Sequence, residues 1–276
     1  MLRTRVLTAA ILVLILTGAL FGLPPTGFTL VVAAVVLGIG GWEAARLAGL
    51  HTPGFQALWI LALLVLGATS VYLLHFQFGP PLLFGAAVVA WLVLLAWVKN
   101  YELGLAGAGG LQPWKLPVGL VIILPAFAAF AWLHFHSPWL VVMLILIIAA
   151  GDTGAYFTGR AIGGPRLAPR ISPGKTWSGA IGGLITGSAM AVLATSMLPD
   201  SPFGGPPWKI AAAGTLLVAL SIGGDLLVSL LKRHRGLKDT SGLLPGHGGL
   251  LDRIDSLSAA LPLFALLVWL GLRYAG

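Results

Sequence analysis

Most of the residues that could perform chemistry lie in one polar segment, residues 229 to 255, of a chain that is otherwise strongly apolar. The 276-residue chain has only eight acidic side chains. Four of them lie in this segment or just before it: Asp225, Asp239, Asp252 and Asp255. Because carboxylates bind cations and basic residues lie among them, the segment is a candidate site for a metal ion or a polyphosphate.

The first part of this segment continues a predicted helix. Asp225 and Ser229 are four residues apart and Lys232 follows three residues later, so the three side chains share one helix face. A carboxylate, a hydroxyl and an ammonium group therefore point the same way. The alternative for Lys232 and Arg233 is simple retention of basic residues at the cytoplasmic end of a membrane span.

The second part is a glycine-rich loop, Pro245 to Gly249, followed by two aspartates. Its three glycines allow left-handed backbone turns or a close approach to a ligand. Asp252 and Asp255 are three residues apart and share a face in the first turn of the next helix. Carboxylates suit Mg²⁺, which fills its octahedron with water and substrate phosphate. The alternative for Asp252 is an acid favoured by the helix dipole.

A fifth aspartate, Asp152, lies within an apolar stretch, in the sequence Gly-Asp-Thr-Gly-Ala-Tyr that ends at Tyr156. An unpaired acid at the centre of a bilayer costs about 2.5 to 3.5 kcal/mol, so such a residue usually has a partner or a function. Asp152 either serves the site or forms a structural pair with a nearby base such as Arg160.

The sequence Gly-Lys-Thr at residues 174 to 176 is not a Walker loop. That motif needs a glycine at position 169, where this chain has proline, and a preceding strand, which is not expected here. Ser172, Lys175 and Thr176 nevertheless lie close to a helix start, where free backbone amides and the helix dipole favour an anion. The alternative is a helix N-cap followed by a basic residue at the membrane interface.

Composition identifies an integral membrane protein. Hydrophobic residues make up 58% of the chain and charged residues 9%, against about 25% charged in soluble domains. The mean hydropathy is +0.98. We predict an all-α polytopic fold with about nine transmembrane helices. The predicted spans are 6–22, 28–48, 56–75, 81–98, 116–135, 138–159, 178–198, 209–230 and 254–272.

The basic residues predict the orientation, because Lys and Arg near span ends stay in the cytoplasm. With a cytoplasmic N-terminus, nine spans place fourteen of them inside and only Lys209 and Arg273 outside. The C-terminus is then extracytoplasmic and the polar segment cytoplasmic. Retention signals and anionic lipids account for the net charge of +8, so no nucleic-acid partner is implied. Without cysteine, the chain has no thiolate metal site.

Two regions are predicted, N-terminal membrane spans at 1–115 and a catalytic membrane domain at 116–276, whose polar site faces the cytoplasm. The glycine-rich stretch 104–110 is expected to be a flexible connector. In the first region, Glu43 lies three residues before Arg46, a helical spacing that predicts an ion pair.

The polar segment closely resembles the signature of phosphatidate cytidylyltransferases, also called CDP-diacylglycerol synthases. The matching residues are Ser229, Lys232, Arg233, Lys238, Asp239, Pro245 to Gly249, Asp252, Arg253 and Asp255. The elements around Asp152 and from Ser172 to Thr176 are also similar to that family, so the resemblance covers roughly residues 145 to 262. Val228 and Ser178 depart from the usual pattern, which often has Glu and an acidic or amide residue there.

The resemblance implies transfer of the cytidylyl group of CTP to phosphatidic acid, giving CDP-diacylglycerol and pyrophosphate, at the cytoplasmic face of a bacterial inner membrane. It implies a homodimer in the lipid bilayer, and Mg²⁺ with a second, monovalent ion such as K⁺. The implied metal ligands are Asp225, Asp252 and Asp255. The implied catalytic residues are Asp225, Asp252, Lys232 and Arg233. The implied substrate-binding residues are Asp152, Ser172, Lys175, Thr176, Ser229, Lys238, Asp239, His247, Gly248, Gly249 and Arg253.

Three other classes remain open. A CTP-dependent polyprenol or dolichol kinase has similar substrates but transfers a γ-phosphoryl group. A secondary transporter would place Asp152 and Asp225 near the midplane of inverted repeats, and no convincing repeat is visible. A structural protein has no reason to gather carboxylates around a glycine-rich loop. Close helix packing, within one chain or between two copies, is permitted by Gly179, Gly182, Gly183 and Gly187.

Overall fold

The computed structural model describes residues 2–103, 110–198, 203 and 206–274. Most of the stretch expected to be a flexible connector, residues 104–110, lies outside this part. The helices are α1 (Leu2–Gly22), α2 (Pro25–Val32), α3 (Gly41–Leu47), α4 (Pro53–Leu73), α5 (Gly79–Val98), α6 (Lys115–His136), α7 (Pro138–Ile162), α8 (Trp177–Met197), α9 (Pro207–His234) and α10 (Leu251–Tyr274). A π-helical stretch, Ala33–Gly40, joins α2 to α3. Two strands, β1 (Arg166–Ala168) and β2 (Ser172–Thr176), lie between α7 and α8.

The predicted all-α membrane fold is confirmed. Within the described ranges, eight helices are long and apolar enough to cross a membrane, and α2 with α3 forms one of them, Pro25–Leu47. A further apolar helix, Leu7–Gly22 within α1, is shorter. Each of the nine predicted spans coincides with one of these segments. The chain is therefore a multi-pass membrane protein.

Helices α6, α9 and α10 form the centre of the bundle. About two thirds of the apolar window of α6 and of α9 is buried, against 17% for α4 and α5. In α6, Ala126, Ala128 and Ala129 are fully buried, as is Phe264 of α10. Small side chains let these apolar helices pack closely, while α4 and α5 keep large apolar residues exposed for contact with lipid. The central helices therefore provide the rigid frame for the polar end of the bundle.

Helices α7 and α8 pack with their backbones in close contact. A Cβ added at Gly183 would lie 2.8 Å from the carbonyl oxygen of Gly151, and one at Gly179 would lie 2.8 Å from that of Ala155. A Cβ added at two other glycines of α8 would lie still closer to side chains of α7 or α9: Gly182 and Gly187. The close packing predicted from these glycines is therefore formed within one chain.

The segment between α7 and α8 forms a β-hairpin, where no strand was expected. Its strands are antiparallel, with Arg166 opposite Thr176. Gly163 and Gly164, with φ of 67° and 100°, turn the chain out of α7 in a conformation that favours glycine. The strands are short, and β2 contains Pro173, which is tolerated at a sheet edge. The sequence therefore lacks the alternating pattern by which a strand is recognised.

Replacing Gly183 with Ala should destabilise the protein, because the methyl group would overlap the backbone carbonyl of Gly151. Overpacking of this kind costs about 1–3 kcal/mol, so the midpoint of thermal unfolding in detergent should fall. The control is Gly85→Ala in α5, where an added Cβ has nothing within 4 Å. Equal midpoints for the two variants would contradict the proposed packing.

Candidate active site

One cavity, at the end of the bundle where α10 begins, gathers five of the chain's eight acidic side chains. Its volume is about 440 Å³, and its wall is formed by α7, α9, α10 and the loop before α10. We call it the carboxylate cavity. The structure thus brings all five predicted aspartates together: Asp152, Asp225, Asp239, Asp252 and Asp255.

This cavity has an excess of negative charge. Lys232 and Arg253 are the basic side chains in its wall, and Lys175 extends to Asp225 from β2. If all five carboxylates are ionised, these three bases leave two negative charges uncompensated. Carboxylates gathered in one cavity repel one another, so a bound cation would stabilise the cavity.

The donor set fits a hard divalent cation such as Mg²⁺, because it consists of carboxylate oxygens. Among the residues that the structure describes, no three acids or histidines lie close enough to hold an ion on their own. Mg²⁺ usually takes one or two protein carboxylates and completes its octahedron with water and substrate phosphate. Residues that could contribute such a carboxylate are Asp225, Asp252 and Asp255.

Asp225 lies where α9 crosses α10 at close range. A Cβ at the preceding Gly224 would overlap the backbone carbonyl of Asp255, so glycine permits this approach. One carboxylate oxygen of Asp225, Oδ2, is 2.6 Å from Nζ of Lys175. The other, Oδ1, accepts a hydrogen bond of 3.1 Å from the hydroxyl of Ser229. The alignment of Asp225 and Ser229 on one helix face is therefore confirmed.

Asp252 is buried and accepts three hydrogen bonds. Its Oδ1 accepts one from Nζ of Lys232 at 2.6 Å. Its Oδ2 accepts hydrogen bonds from the backbone amides of Thr240 (2.8 Å) and Gly249 (2.9 Å), and it lies 3.0 Å from the Thr240 hydroxyl, whose single proton it shares with Glu43. Asp252 therefore ties both ends of the loop 240–249 to the start of α10, while it and Lys232 remain in the cavity wall.

Glu43 of α3 binds the same loop from the N-terminal half of the chain. Its side chain is completely buried, with 0% exposure. It accepts hydrogen bonds from the hydroxyls of Thr240 (2.9 Å) and Ser241 (2.6 Å). It also accepts them from the backbone amides of Leu250 (3.0 Å) and Leu251 (2.7 Å). These amides begin α10 and have no partner within the helix, so Glu43 caps the helix that carries Asp252.

The predicted ion pair between Glu43 and Arg46 is therefore wrong. Arg46 lies over the ring of Trp42 instead, 4.8 Å from its centroid. Four buried hydrogen bonds satisfy the carboxylate better than one half-exposed base would. Sequence reasoning missed this role because the partners of Glu43 lie 197 to 208 residues further along the chain, beyond any local pattern.

The loop glycines make room for these buried carboxylates. Gly248 has a φ of 78°, and a Cβ there would lie 2.7 Å from Oδ2 of Asp252. A Cβ at Gly249 would overlap both the Thr240 hydroxyl and the Glu43 carboxylate. The glycines were predicted to let the backbone come close to a ligand. At these two positions the backbone instead comes close to the protein's own acids.

A second cavity, of about 560 Å³, lies within the loop itself. We call it the loop cavity. It is lined by Lys238, His247 and several loop glycines, and it shares Asp239 and Arg253 with the carboxylate cavity. Basic side chains and exposed backbone amides suit a polyphosphate. Five of the predicted substrate-binding residues therefore lie around this space: Lys238, Asp239, His247, Gly248 and Arg253.

A third cavity, of about 460 Å³, lies between α7, α8 and the β-hairpin. We call it the hairpin cavity. It shares Asp152 and Asp225 with the carboxylate cavity, on a different side from the loop cavity. Its bases are Arg160, Arg166 and Lys175. Arg160 does not pair with Asp152, since its guanidinium donates to the hydroxyl of Tyr156 at 2.9 Å.

Other predicted residues lie beside these cavities or in structural positions. The Thr176 hydroxyl caps α8 by accepting a hydrogen bond from the Gly179 amide (3.1 Å), and Thr176 also lines the hairpin cavity. Arg233 donates to the carbonyls of Ile171 and Leu237, both at 3.2 Å, and so ties the hairpin to α9. Arg233 does not line any of these three cavities, as the described residues form them. The same is true of three other predicted residues: Ser172, Ser229 and Gly249.

Comparison with known proteins identifies the family. The sequence model of the family described as "Cytidylyltransferase family" matches residues 3–270. The chain belongs to this family. It is 40% identical to a phosphatidate cytidylyltransferase of Pseudomonas aeruginosa over 276 residues, which cover 98% of this chain and 97% of the relative. Proteins of the same name from Haemophilus influenzae (36% identical, 96% and 98% covered) and Brucella suis (37%, 96% and 92%) are also similar. The resemblance drawn from the polar segment is thus confirmed, and the match to the family extends through the N-terminal spans.

Replacing Glu43 with Gln should loosen the loop. The amide nitrogen would take the place of one acceptor oxygen, and it cannot accept the hydrogen bonds of the donors that face it. Hydrogen bonds to charged groups contribute about 1.5–3 kcal/mol, so exchange of the amide hydrogens of residues 240–251 should speed up about tenfold or more. Hydrogen–deuterium exchange in detergent measures this.

Glu102→Gln is the matched control, since the Glu102 side chain is 70% exposed and pairs with Arg170 at the surface. If the loop amides exchange as slowly in Glu43→Gln as in the wild type, the buried carboxylate does not hold the loop in place.

Proposed function

We propose that the protein transfers the cytidylyl group of CTP to phosphatidic acid, giving CDP-diacylglycerol and pyrophosphate. Relatives of nearly the same length carry the name phosphatidate cytidylyltransferase. The observation that carries the proposal is a cavity with five carboxylates between two basic cavities, at one end of a membrane-spanning bundle. This arrangement suits a reaction between two phosphate-bearing substrates, one of which keeps its acyl chains in the bilayer.

In this reaction, a phosphate oxygen of phosphatidate attacks the α-phosphorus of CTP in line with the leaving pyrophosphate. A new P–O bond forms to the α-phosphorus while its bond to the oxygen that bridges to the β-phosphorus breaks. No general base is required, because a phosphate monoester, with a second pKa of about 6, is largely ionised at pH 7. The side chains position the phosphates and offset charge on the leaving group, roles that we assign to Lys175, Lys232 and Lys238.

We further propose that the site uses Mg²⁺, held by one or two of the three candidate carboxylates, Asp225, Asp252 and Asp255, together with water and substrate phosphate, with a monovalent ion such as K⁺ beside it. When bound, Mg²⁺ would neutralise negative charge on the CTP phosphates. The support is the cluster of five carboxylates in one cavity and their hard oxygen donors. In Asp255, Oδ1 accepts a hydrogen bond of 2.7 Å from the backbone amide of Ser256.

We place the site on the cytoplasmic side of a bacterial inner membrane. The basic residues support this side, and all of the relatives named above are bacterial. The hydroxyl of Thr8, near the start of α1, lies 3.3 Å from the carbonyl oxygen of Pro245 in the loop. The site and the N-terminal part of α1 are therefore on one side. A homodimer is also proposed, on the family resemblance, and light scattering of the detergent-solubilised protein tests it.

Purified protein should transfer label from CTP to phosphatidate so that the lipid retains both the cytosine and the α-phosphate. CTP labelled in the α-phosphate and, separately, in the γ-phosphate distinguishes the two enzyme classes. Lipid labelled only from the γ-phosphate would indicate a lipid kinase and overturn the proposed function.

Asp225→Asn should lower turnover by about 100-fold or more, which is the scale of losing one preorganised electrostatic group in an active site. The measurements are turnover with Mg²⁺ varied, activity in excess chelator, and size-exclusion profiles that show an intact fold. Chelator should abolish wild-type activity and added Mg²⁺ should restore it. Near-wild-type turnover in Asp225→Asn, or full activity in chelator, would contradict the proposed metal site. Glu102→Gln again serves as the control.

A further inference from the structure

The two basic cavities differ in what surrounds them. The loop cavity is lined by the polar loop before α10 and by Arg253 at the helix start. The hairpin cavity lies between two membrane-spanning helices and has small or apolar residues beside its bases, including Ala155, Ala180 and Ile222. The two cavities share no lining residue, and each borders the carboxylate cavity. The carboxylates therefore lie between two separate phosphate-sized sites.

The arginines of the hairpin cavity are available to a ligand. Arg160 is exposed on the last turns of α7 and is oriented by Tyr156, and Arg166 is exposed on β1. Neither forms an ion pair with a carboxylate in the part of the chain that the structure describes. Guanidinium groups bind phosphate oxygens in a bidentate manner and remain charged at all relevant pH values. They therefore offer two positive charges beside the carboxylate cavity, next to Lys175, whose own charge is paired with Asp225.

The outer surface around this cavity suits lipid chains. Large apolar side chains are exposed on the same parts of α7 and α8, where the bilayer would cover them: Tyr156, Phe157, Trp177 and Ile181. A lipid whose headgroup lies at the arginines can therefore extend its acyl chains along these helices without leaving the membrane. The lining of the loop cavity is instead mostly polar residues and glycine, and Leu244 and Pro245 are its apolar members.

We propose that Arg160 and Arg166 bind the phosphate of phosphatidate in the hairpin cavity, while the triphosphate of CTP binds in the loop cavity. This inference rests on the proposed function and assigns its two substrates to separate sites. It agrees with in-line transfer, which requires the attacking and leaving oxygens to lie on opposite sides of the α-phosphorus. In this arrangement the phosphatidate oxygen comes from the hairpin side and pyrophosphate departs on the loop side.

Kinetics with each substrate varied separately test this assignment. Arg160→Gln and Arg166→Gln, assayed in mixed micelles with the mole fraction of phosphatidate varied, should each raise the KM for phosphatidate about tenfold or more. The KM for CTP should stay within about twofold of wild type, because the loop cavity is unchanged. Arg160→Lys and Arg166→Lys keep the charge but lose the bidentate geometry, so they should recover part of the loss.

Arg170→Gln is the matched control. Arg170 lies in the same hairpin but pairs with Glu102 and does not line the cavity. An equal rise in the phosphatidate KM for this control would indicate general attraction to an anionic micelle and would overturn the assignment. The assignment would also be overturned if Arg160→Gln and Arg166→Gln raised the KM for CTP alone, or if these variants were folded and had unchanged kinetics. A wild-type protein without cytidylyl transfer would instead refute the proposed function.

Discussion

Glu43 and Asp252 are buried carboxylates that bind one loop from two sides, and the shape of the candidate site depends on their hydrogen bonds. The Thr240 hydroxyl lies within hydrogen-bonding distance of both, at 2.9 and 3.0 Å. Each acid also accepts hydrogen bonds from backbone amides. Most other conformations of the loop would leave a buried donor without a partner, which is costly. The same contacts fix the first turn of α10, which carries Asp252, Arg253 and Asp255 into the cavity. Loop and helix are therefore positioned as one unit.

Charge distribution is the second constraint. The protein concentrates most of its few acids in one cavity and surrounds that cavity with bases, so like charges lie close together there. Such a cluster gains stability from any cation or cationic side chain that enters it. Lys175 and Lys232 each form a short ion pair with one aspartate and so provide part of this compensation. The remaining imbalance favours ligands that bring positive charge with them.

Much of this organisation could be predicted from the sequence, because the signals are local. The nine apolar segments needed only a count of hydrophobic residues, and Asp225, Ser229 and Lys232 needed only helical spacing. The role of Glu43 could not be predicted in this way, since its partners are distant in sequence and its spacing to Arg46 suggested a simpler pair. The hairpin was missed because Pro173 and short strands hide the strand pattern. The sequence suggested Arg160 only as a structural partner for Asp152, because the hairpin that brings Arg160 and Arg166 into one cavity with Asp225 was not predicted.

The long separation between Glu43 and its partners has a consequence for biosynthesis. Leu250 follows Glu43 by 207 residues. At a synthesis rate of about 5–20 residues per second, this interval takes roughly 10–40 seconds. During that time the carboxylate lacks these partners, while the six helices from α4 to α9 are made. The candidate site is complete only when α10 has entered the bilayer, so a ribosome-bound nascent chain lacks this site until that helix has been made.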